Sequence, residues 1–189
     1  MLVRGARPPS SRRGNGAAAL ASVTRAGLLP GGDDRLFRRF VDNFVRLSGR
    51  MQLVRAALAK AMGLSPPQYN IVMILARAEA REGEPMGAIA RRLGVSISFI
   101  VAEARALEKL GLVALARNPT DRRSVLVSLA PAGRARLRRA MPRIRRINDM
   151  LFAKLSRAEL VAMDRAIGRI LADSDAALAA LGRASGEKG

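Results

Sequence analysis

Apolar residues recur along this 189-residue chain with two periods, close to 3.5 over most of its length and 2 in one short stretch. Phe37, Phe40, Phe44, Leu47, Met51, Val54, Leu58 and Ala61 follow at alternating steps of three and four, a heptad-like seam along one helix that Gly63 stops. Arg38, Arg39, Asp42, Arg46, Arg50, Arg55 and Lys60 fill the positions between. A second helix opens at Ser65-Pro66-Pro67-Gln68, where Ser caps, Pro suits the first turn and Gln completes a capping box. Its body runs from Tyr69 to Ala78 and ends in a charged turn over Glu79 to Pro85.

A short third helix is predicted from about Gly87 to Leu93, with Ile89, Ala90 and Leu93 on one face. Gly94-Val95 then turns into a fourth helix, capped by Ser96 and carrying Ile100, Ala104 and Leu107 at i, i+4 and i+7. Short helix, tight turn and longer helix make a helix-turn-helix. After Gly111 the period drops to 2: Val113 and Leu115 alternate, Asn118-Pro119-Thr120-Asp121 is turn chemistry, and Val125, Val127 and Leu129 alternate again. This hairpin carries Arg117, Arg122 and Arg123 at or near its tip, in the position of a wing. Pro131 opens a fifth helix to about Leu155, with Leu137, Met141, Ile144, Ile147 and Leu151 as its stripe and a bend expected at Pro142. Ser156-Arg157-Ala158-Glu159 is a second capping box, opening a last helix with Leu160, Met163, Ile167, Ile170, Leu171, Leu178 and Leu181.

Composition narrows the chemistry. The chain has no Cys and no His, which excludes disulfides, thiol redox sensing, Cys/His zinc sites and nucleophile systems built on His. Neither metal site nor cofactor is expected, and no catalytic residue: no Gly-rich phosphate cradle occurs and the acids lie mostly on helix surfaces. The longest uncharged apolar run, Ile71 to Ala76, is far short of the roughly 18 residues of a membrane span. Lys and Arg number 34 against 15 Asp and Glu, a formal charge of +19, which points to a polyanion and to nucleic acid first. Residues 1–32 hold Arg4, Arg7, Arg12, Arg13 and Arg25, no acid and much Gly, Pro, Ser and Ala, and are expected to be a disordered tail. Ser11-Arg12-Arg13 faintly resembles a twin-arginine signal, but the apolar stretch after it is short and broken by Arg25, so a floppy extension or an upstream start is the reading adopted.

Three runs carry a resemblance: Leu107-Glu108-Lys109-Leu110-Gly111-Leu112-Val113, then Asn118 through Leu129 with Asp121-Arg122-Arg123, then Pro131-Ala132-Gly133. Together with Leu64-Ser65-Pro66-Pro67-Gln68-Tyr69 they resemble MarR-type bacterial transcriptional regulators over about residues 33–181. The resemblance implies a mainly α fold with a small β-hairpin, a winged helix-turn-helix set between N- and C-terminal dimerisation helices. The expected domains are a basic tail (1–32), a helical dimerisation region (33–63 and 131–182), a DNA-binding winged helix-turn-helix (64–130) and a disordered tail (183–189). It further implies a cytoplasmic homodimer without membrane contact. Such a dimer is a repressor that binds double-stranded DNA at a pseudo-palindromic operator and responds to a small effector, commonly an aromatic acid. Members usually carry Thr or Ser where this chain has Ala130, a missing helix cap worth ~1 kcal/mol, and often a basic residue where it has Leu115.

With Ile100, Ala104 and Leu107 inward, the fourth helix presents Ser98, Val101, Ala102 and Arg105, with Ser96, Ile97 and Phe99 at its start. Phe99 is balanced between core and surface. Such a face touches thymine methyls but hydrogen-bonds few base edges, so phosphate contacts and DNA shape are expected to carry much of the affinity. Arg117, Asp121, Arg122 and Arg123 are the wing candidates, Asp121 orienting Arg123 for the minor groove as the resemblance implies. The ligand candidates, on the same basis, are Arg46, Arg50, Met51, Tyr69 and Met73, in a pocket lined by the first, second and fifth helices. Arg134, Arg136, Arg138, Arg139, Arg143, Arg145 and Arg146 are evenly balanced between a solvated face and a phosphate role. The alternative to a regulator is a non-specific, architectural nucleic-acid-binding protein without ligand sensing, which shares the charge but needs neither the apolar seam nor a wing.

Overall fold

The structure is a computed structural model and describes residues 20–77, 83–121 and 123–186. It divides into two compact units, residues 1–134 and 135–189.

The first unit contains α1 (Arg35–Ala61), α2 (Pro66–Arg77), β1 (Glu84–Pro85), α3 (Met86–Leu93), α4 (Ile97–Lys109), β2 (Val113–Arg117) and β3 (Val125–Leu129). Its core lies where α2, α3, α4 and the sheet meet: Ile71, Val72, Ile89, Ile100, Leu107 and Val127 are the largest fully buried side chains. Each capping box read from the sequence closes as hydrogen bonds. At α2 the Ser65 N–H donates to Gln68 Oε1 at 3.1 Å and the Gln68 N–H to Ser65 Oγ at 3.3 Å. The seam of α1 is buried only towards its end, at Leu58, while Phe40, Phe44 and Leu47 are 50, 41 and 45% exposed in the single chain.

Two departures from the sequence reading concern the first unit. Glu84–Pro85, expected within a charged turn, pairs antiparallel with β3 (Glu84 opposite Val127), so the hairpin becomes a three-stranded sheet in the order β1-β3-β2. Two residues, one of them proline, are too few to show a period. Of the expected tail, residues 20–32 follow a defined path through two 3-10 turns, Ala26–Leu28 and Pro30–Gly32. Ser22 ties this segment to the start of α1, its N–H and hydroxyl both donating to Asp34 Oδ2, at 2.7 and 2.8 Å. Residues 1–19 lie outside the described residues. The two strands β2 and β3 pair as expected, Val113 opposite Leu129 through Arg117 opposite Val125.

α5 (Pro131–Leu151) starts in the first unit and continues through the second, helical across Pro142. It stops four residues earlier than expected, in a turn where the Leu155 N–H donates to the Phe152 carbonyl at 2.9 Å. α6 (Arg157–Gly186) follows, its start closed by Ser156 and Glu159: the Ser156 hydroxyl donates to Glu159 Oε2 at 2.6 Å and the Glu159 N–H to Ser156 Oγ at 3.3 Å. The helix therefore continues into the expected C-terminal tail; residues 187–189 lie outside the described ones. Along α5, Leu137 and Ile144 are buried, whereas Leu160, Val161, Met163, Ile170 and Leu171 of α6 are exposed.

Candidate nucleic-acid interface

The turn between α3 and α4 is built on Gly94, whose φ of +66° is left-handed backbone that an L side chain adopts only at a cost. It lets the Val95 N–H donate to the Ala90 carbonyl at 3.1 Å and redirects the chain at once into α4. Ser96 then caps α4, its Oγ accepting from the Phe99 N–H at 3.2 Å and lying 3.0 Å from Ser98 Oγ. Ile100, Ala104 and Leu107 are completely buried, which fixes the rotation of α4 about its axis.

That rotation settles what α4 presents. Ser96, Ile97, Ser98, Phe99, Ala102 and Arg105 are exposed, Ile97 at 58% and Phe99 at 39%, so Phe99 is surface and not core. Val101, expected on the outward face, is half-buried: one residue on from Ile100 and three before Ala104, it sits at the edge of the buried stripe. The exposed face is apolar with two hydroxyls and one guanidinium.

The wing tip is held by its own side chains. Asn118 Oδ1 accepts from the Thr120 N–H at 3.0 Å, and its Nδ2 donates to Ser124 Oγ at 2.8 Å. Asp121 Oδ1 accepts from the backbone N–H of Arg123 at 3.0 Å. The carboxylate therefore shapes the turn through the backbone, as Asx turns do. Among the described residues the ion pairs are Arg35 with Asp33 and Arg38 with Asp34, both at the start of α1. The guanidiniums of Arg105, Arg117 and Arg123 are exposed and have no acidic partner within that set, which leaves them open to phosphates. Arg122 lies outside the described residues.

The ligand candidates differ in their burial. Arg46 and Arg50 are exposed on α1, Met51 is half-buried, and Tyr69 is buried. Burial pushes the Tyr69 phenol up from its ordinary value of 10.0, against the opposing charge of Arg55. Met73 lines a cavity of about 150 Å3 together with Arg55, Asn70, Arg77 and Arg92, none of which the sequence reading singled out. The signal was present in α2: Asn70, Met73, Ile74 and Arg77 stand at i, i+3, i+4 and i+7, a face with a polar residue at each end. In the Arg-rich stretch, Arg134 is accounted for structurally, its guanidinium donating to the Leu129 carbonyl, while Arg138, Arg139, Arg143, Arg145 and Arg146 are exposed.

The helix-turn-helix and wing coincide with a match to a family model: residues 62–124 fit the model described as MarR family. Over that segment the chain is similar to the MarR family. One curated relative, an uncharacterized HTH-type transcriptional regulator YcgE from Bacillus subtilis, is 35% identical over 89 residues. That match covers 46% of this chain and 54% of YcgE, so the chain spans about half the length of the curated relative. Among solved structures, a MarR family regulator from Silicibacter pomeroyi is 26% identical, with 80% of this chain and 96% of that one covered and a TM-score of 0.60. A transcriptional repressor, CouR, bound to a 23-mer DNA duplex, is 28% identical over 79% of this chain and 99% of its own, with a TM-score of 0.56. The MarR fold is that of α-helical transcriptional regulators with a small antiparallel sheet, the architecture described above.

Proposed function

We propose that the chain is a cytoplasmic, DNA-binding transcriptional repressor that binds a pseudo-palindromic operator as a homodimer and is modulated by a small ligand such as an aromatic acid. The observation that carries the reading is the exposed start of α4, from Ser96 to Phe99, on a helix-turn-helix whose wing residues Arg117 and Arg123 have no acidic partner among the described residues. CouR, the repressor bound to a 23-mer duplex, supports it. A duplex of that length spans about two helical turns, enough for half-sites ~10 bp apart. Homodimerisation is supported by the exposed apolar seam of α1 and by Leu160, Val161, Ile170 and Leu171 on α6. With Ile97 and Phe99 outward, thymine methyls are the base features within the chemistry of this face, and phosphates supply most of the affinity.

Footprinting on the DNA upstream of the chain's own gene, followed by competition against random duplex, tests this. A regulator prefers its site by at least ~10³-fold. In the same assay Arg123→Ala weakens binding and flattens its salt dependence by about one phosphate-equivalent or less. Equal affinity for operator and random DNA would instead establish an architectural protein.

A further inference from the structure

Val95, Ile97 and Phe99 are exposed side by side along the chain, in a stretch whose only charges are positive: Met86–Ala102 contains Arg91 and Arg92 and no acid. Ile97 reaches back towards α3. A Cβ at Gly87 would meet Arg91 Nη1 at 3.7 Å and Ile97 Cδ1 at 4.0 Å, so an apolar tip and a guanidinium flank the same bare backbone. The polar groups at this end of α4 are few and partly engaged. Ser96 Oγ accepts from the Phe99 N–H at 3.2 Å and lies 3.0 Å from Ser98 Oγ, so the two hydroxyls bond in part to each other. Arg105 stands roughly 12 Å further along the helix.

An apolar spot among positive charges fits a polyanion that offers small apolar groups, and the major groove of duplex DNA does so at one atom: the C5 methyl of thymine. Cytosine methylated at C5 carries the same group in the same place. A T·A pair and a 5-methylcytosine·guanine pair then differ in their hydrogen-bonding groups, which the side chains of isoleucine and phenylalanine, having neither donor nor acceptor, do not sense. Resting on the operator reading above, we propose that Ile97 and Phe99 recognise the C5 methyl and not the base. Thymine and 5-methylcytosine are accepted alike, and uracil and unmodified cytosine are disfavoured alike. The consequence for regulation is that methylation of a contacted cytosine strengthens binding with no change of sequence, an input carried by the DNA and not by an effector.

Sites that the full chain selects from a random duplex library supply the test, so no operator has to be known beforehand. Each thymine of a selected site is replaced in turn by uracil, and at the positions that respond the pairs T·A, U·A, C·G and 5-methylcytosine·G are compared by fluorescence anisotropy at fixed salt. Affinity is expected to follow the methyl: uracil loses about fourfold, the worth of one buried methyl-sized group, cytosine loses at least as much, and methylating that cytosine restores about fourfold. Ile97→Ala and Phe99→Ala, each checked for an unchanged thermal melt, flatten the difference between methylated and unmethylated pairs, while Ile97→Leu retains it. The salt dependence stays as it was, since no phosphate contact is removed. A merely structural role would weaken every duplex equally. Affinity that follows the base, with thymine equal to uracil and cytosine to 5-methylcytosine, overturns the proposal and leaves the operator reading standing, as does a methyl dependence that survives both alanine variants. Variants that change the mass of the free protein and leave every duplex unaffected also overturn it, and assign the patch to a protein contact. A library that yields no preferred site overturns the operator reading, and the proposal with it.

Discussion

At Gly133 a single hydrogen sets how closely two parts of the first unit approach. A Cβ at this position would stand 2.0 Å from the Leu112 carbonyl oxygen and 2.9 Å from its carbon, far inside any real contact, and the obstacle is backbone that no rotamer change relieves. That carbonyl also accepts from the Ala130 N–H at 3.0 Å, so displacing it disturbs the junction between β3 and α5 as well. Gly133→Ala is expected to cost about 1–3 kcal/mol or more, and a thermal melt should drop by several degrees; an unchanged melting temperature would show that the junction yields freely. Pro131-Ala132-Gly133 was legible as part of a family signature, but its physical reason was not, since nothing in the sequence reveals which backbone faces residue 133. Hydrogen bonds governed by local spacing were different. Ser65 with Gln68, Ser96 with Phe99, and Ser156 with Glu159 all close at the offset their positions imply. Asn70 marks the opposite limit, a polar residue on an otherwise apolar stretch of α2 whose unpaired oxygen becomes visible only once α1 and α3 surround it.

The start of α1 is an element whose order depends on one carboxylate. Asp34 accepts from the Ser22 backbone N–H, from the Arg38 side chain and from the Ser22 hydroxyl, and these hold its carboxyl down to about 2 from an ordinary 3.8. A depressed carboxylate contributes stability that is complete above its unfolded value and is lost as pH falls through the folded one. The tie between residues 20–32 and α1 should therefore persist above about pH 4 and release as pH approaches 2. The Ser22 amide resonance is the probe: a midpoint near 2 agrees, whereas one near 3.8 would show that the tie does not form. Elements with many periodic residues were readable from the sequence to within a turn, as α1, α2, α4 and the two long strands are. Those without a period were not. β1 is two residues long and borrows its strand character from β3, and the path of residues 20–32 comes from Asp34, outside the segment whose composition suggested disorder. Val101 is half-buried for a related reason, since its exposure depends on the rotation of α4, which the packing of Ile100 and Ala104 decides.

For the whole molecule, the seam on α1 identified a buried face without identifying what buries it. Phe40 and Phe44 stack with ring centroids 6.1 Å apart and remain exposed in the single chain, and the apolar positions of α6 are exposed as well. If these faces meet in a homodimer, the full chain should elute at twice its own mass, and Phe44→Glu should shift it to the single-chain mass at micromolar concentration. The same variant should lose operator affinity by far more than one base contact is worth, about 1–3 kcal/mol, because two half-sites are no longer engaged together. A chain that is already monomeric without the substitution would remove the dimer from the reading. The wing and α4 hold a further consequence in the identity of their charges. Lys60, Lys109, Lys154 and Lys188 are the only lysines among 34 basic residues, and no histidine accompanies them. Guanidiniums keep their proton at any physiological pH, and acetyltransferases that neutralise lysine have no purchase on them. On the DNA-binding reading, the charges that Arg105, Arg117 and Arg123 bring to DNA are therefore indifferent to acid stress and to acyl donors, and among the basic residues of α4 only Lys109 is open to acylation. Control of the arginine contacts then has to come through geometry, by whatever changes the spacing or tilt of α4 in the proposed dimer.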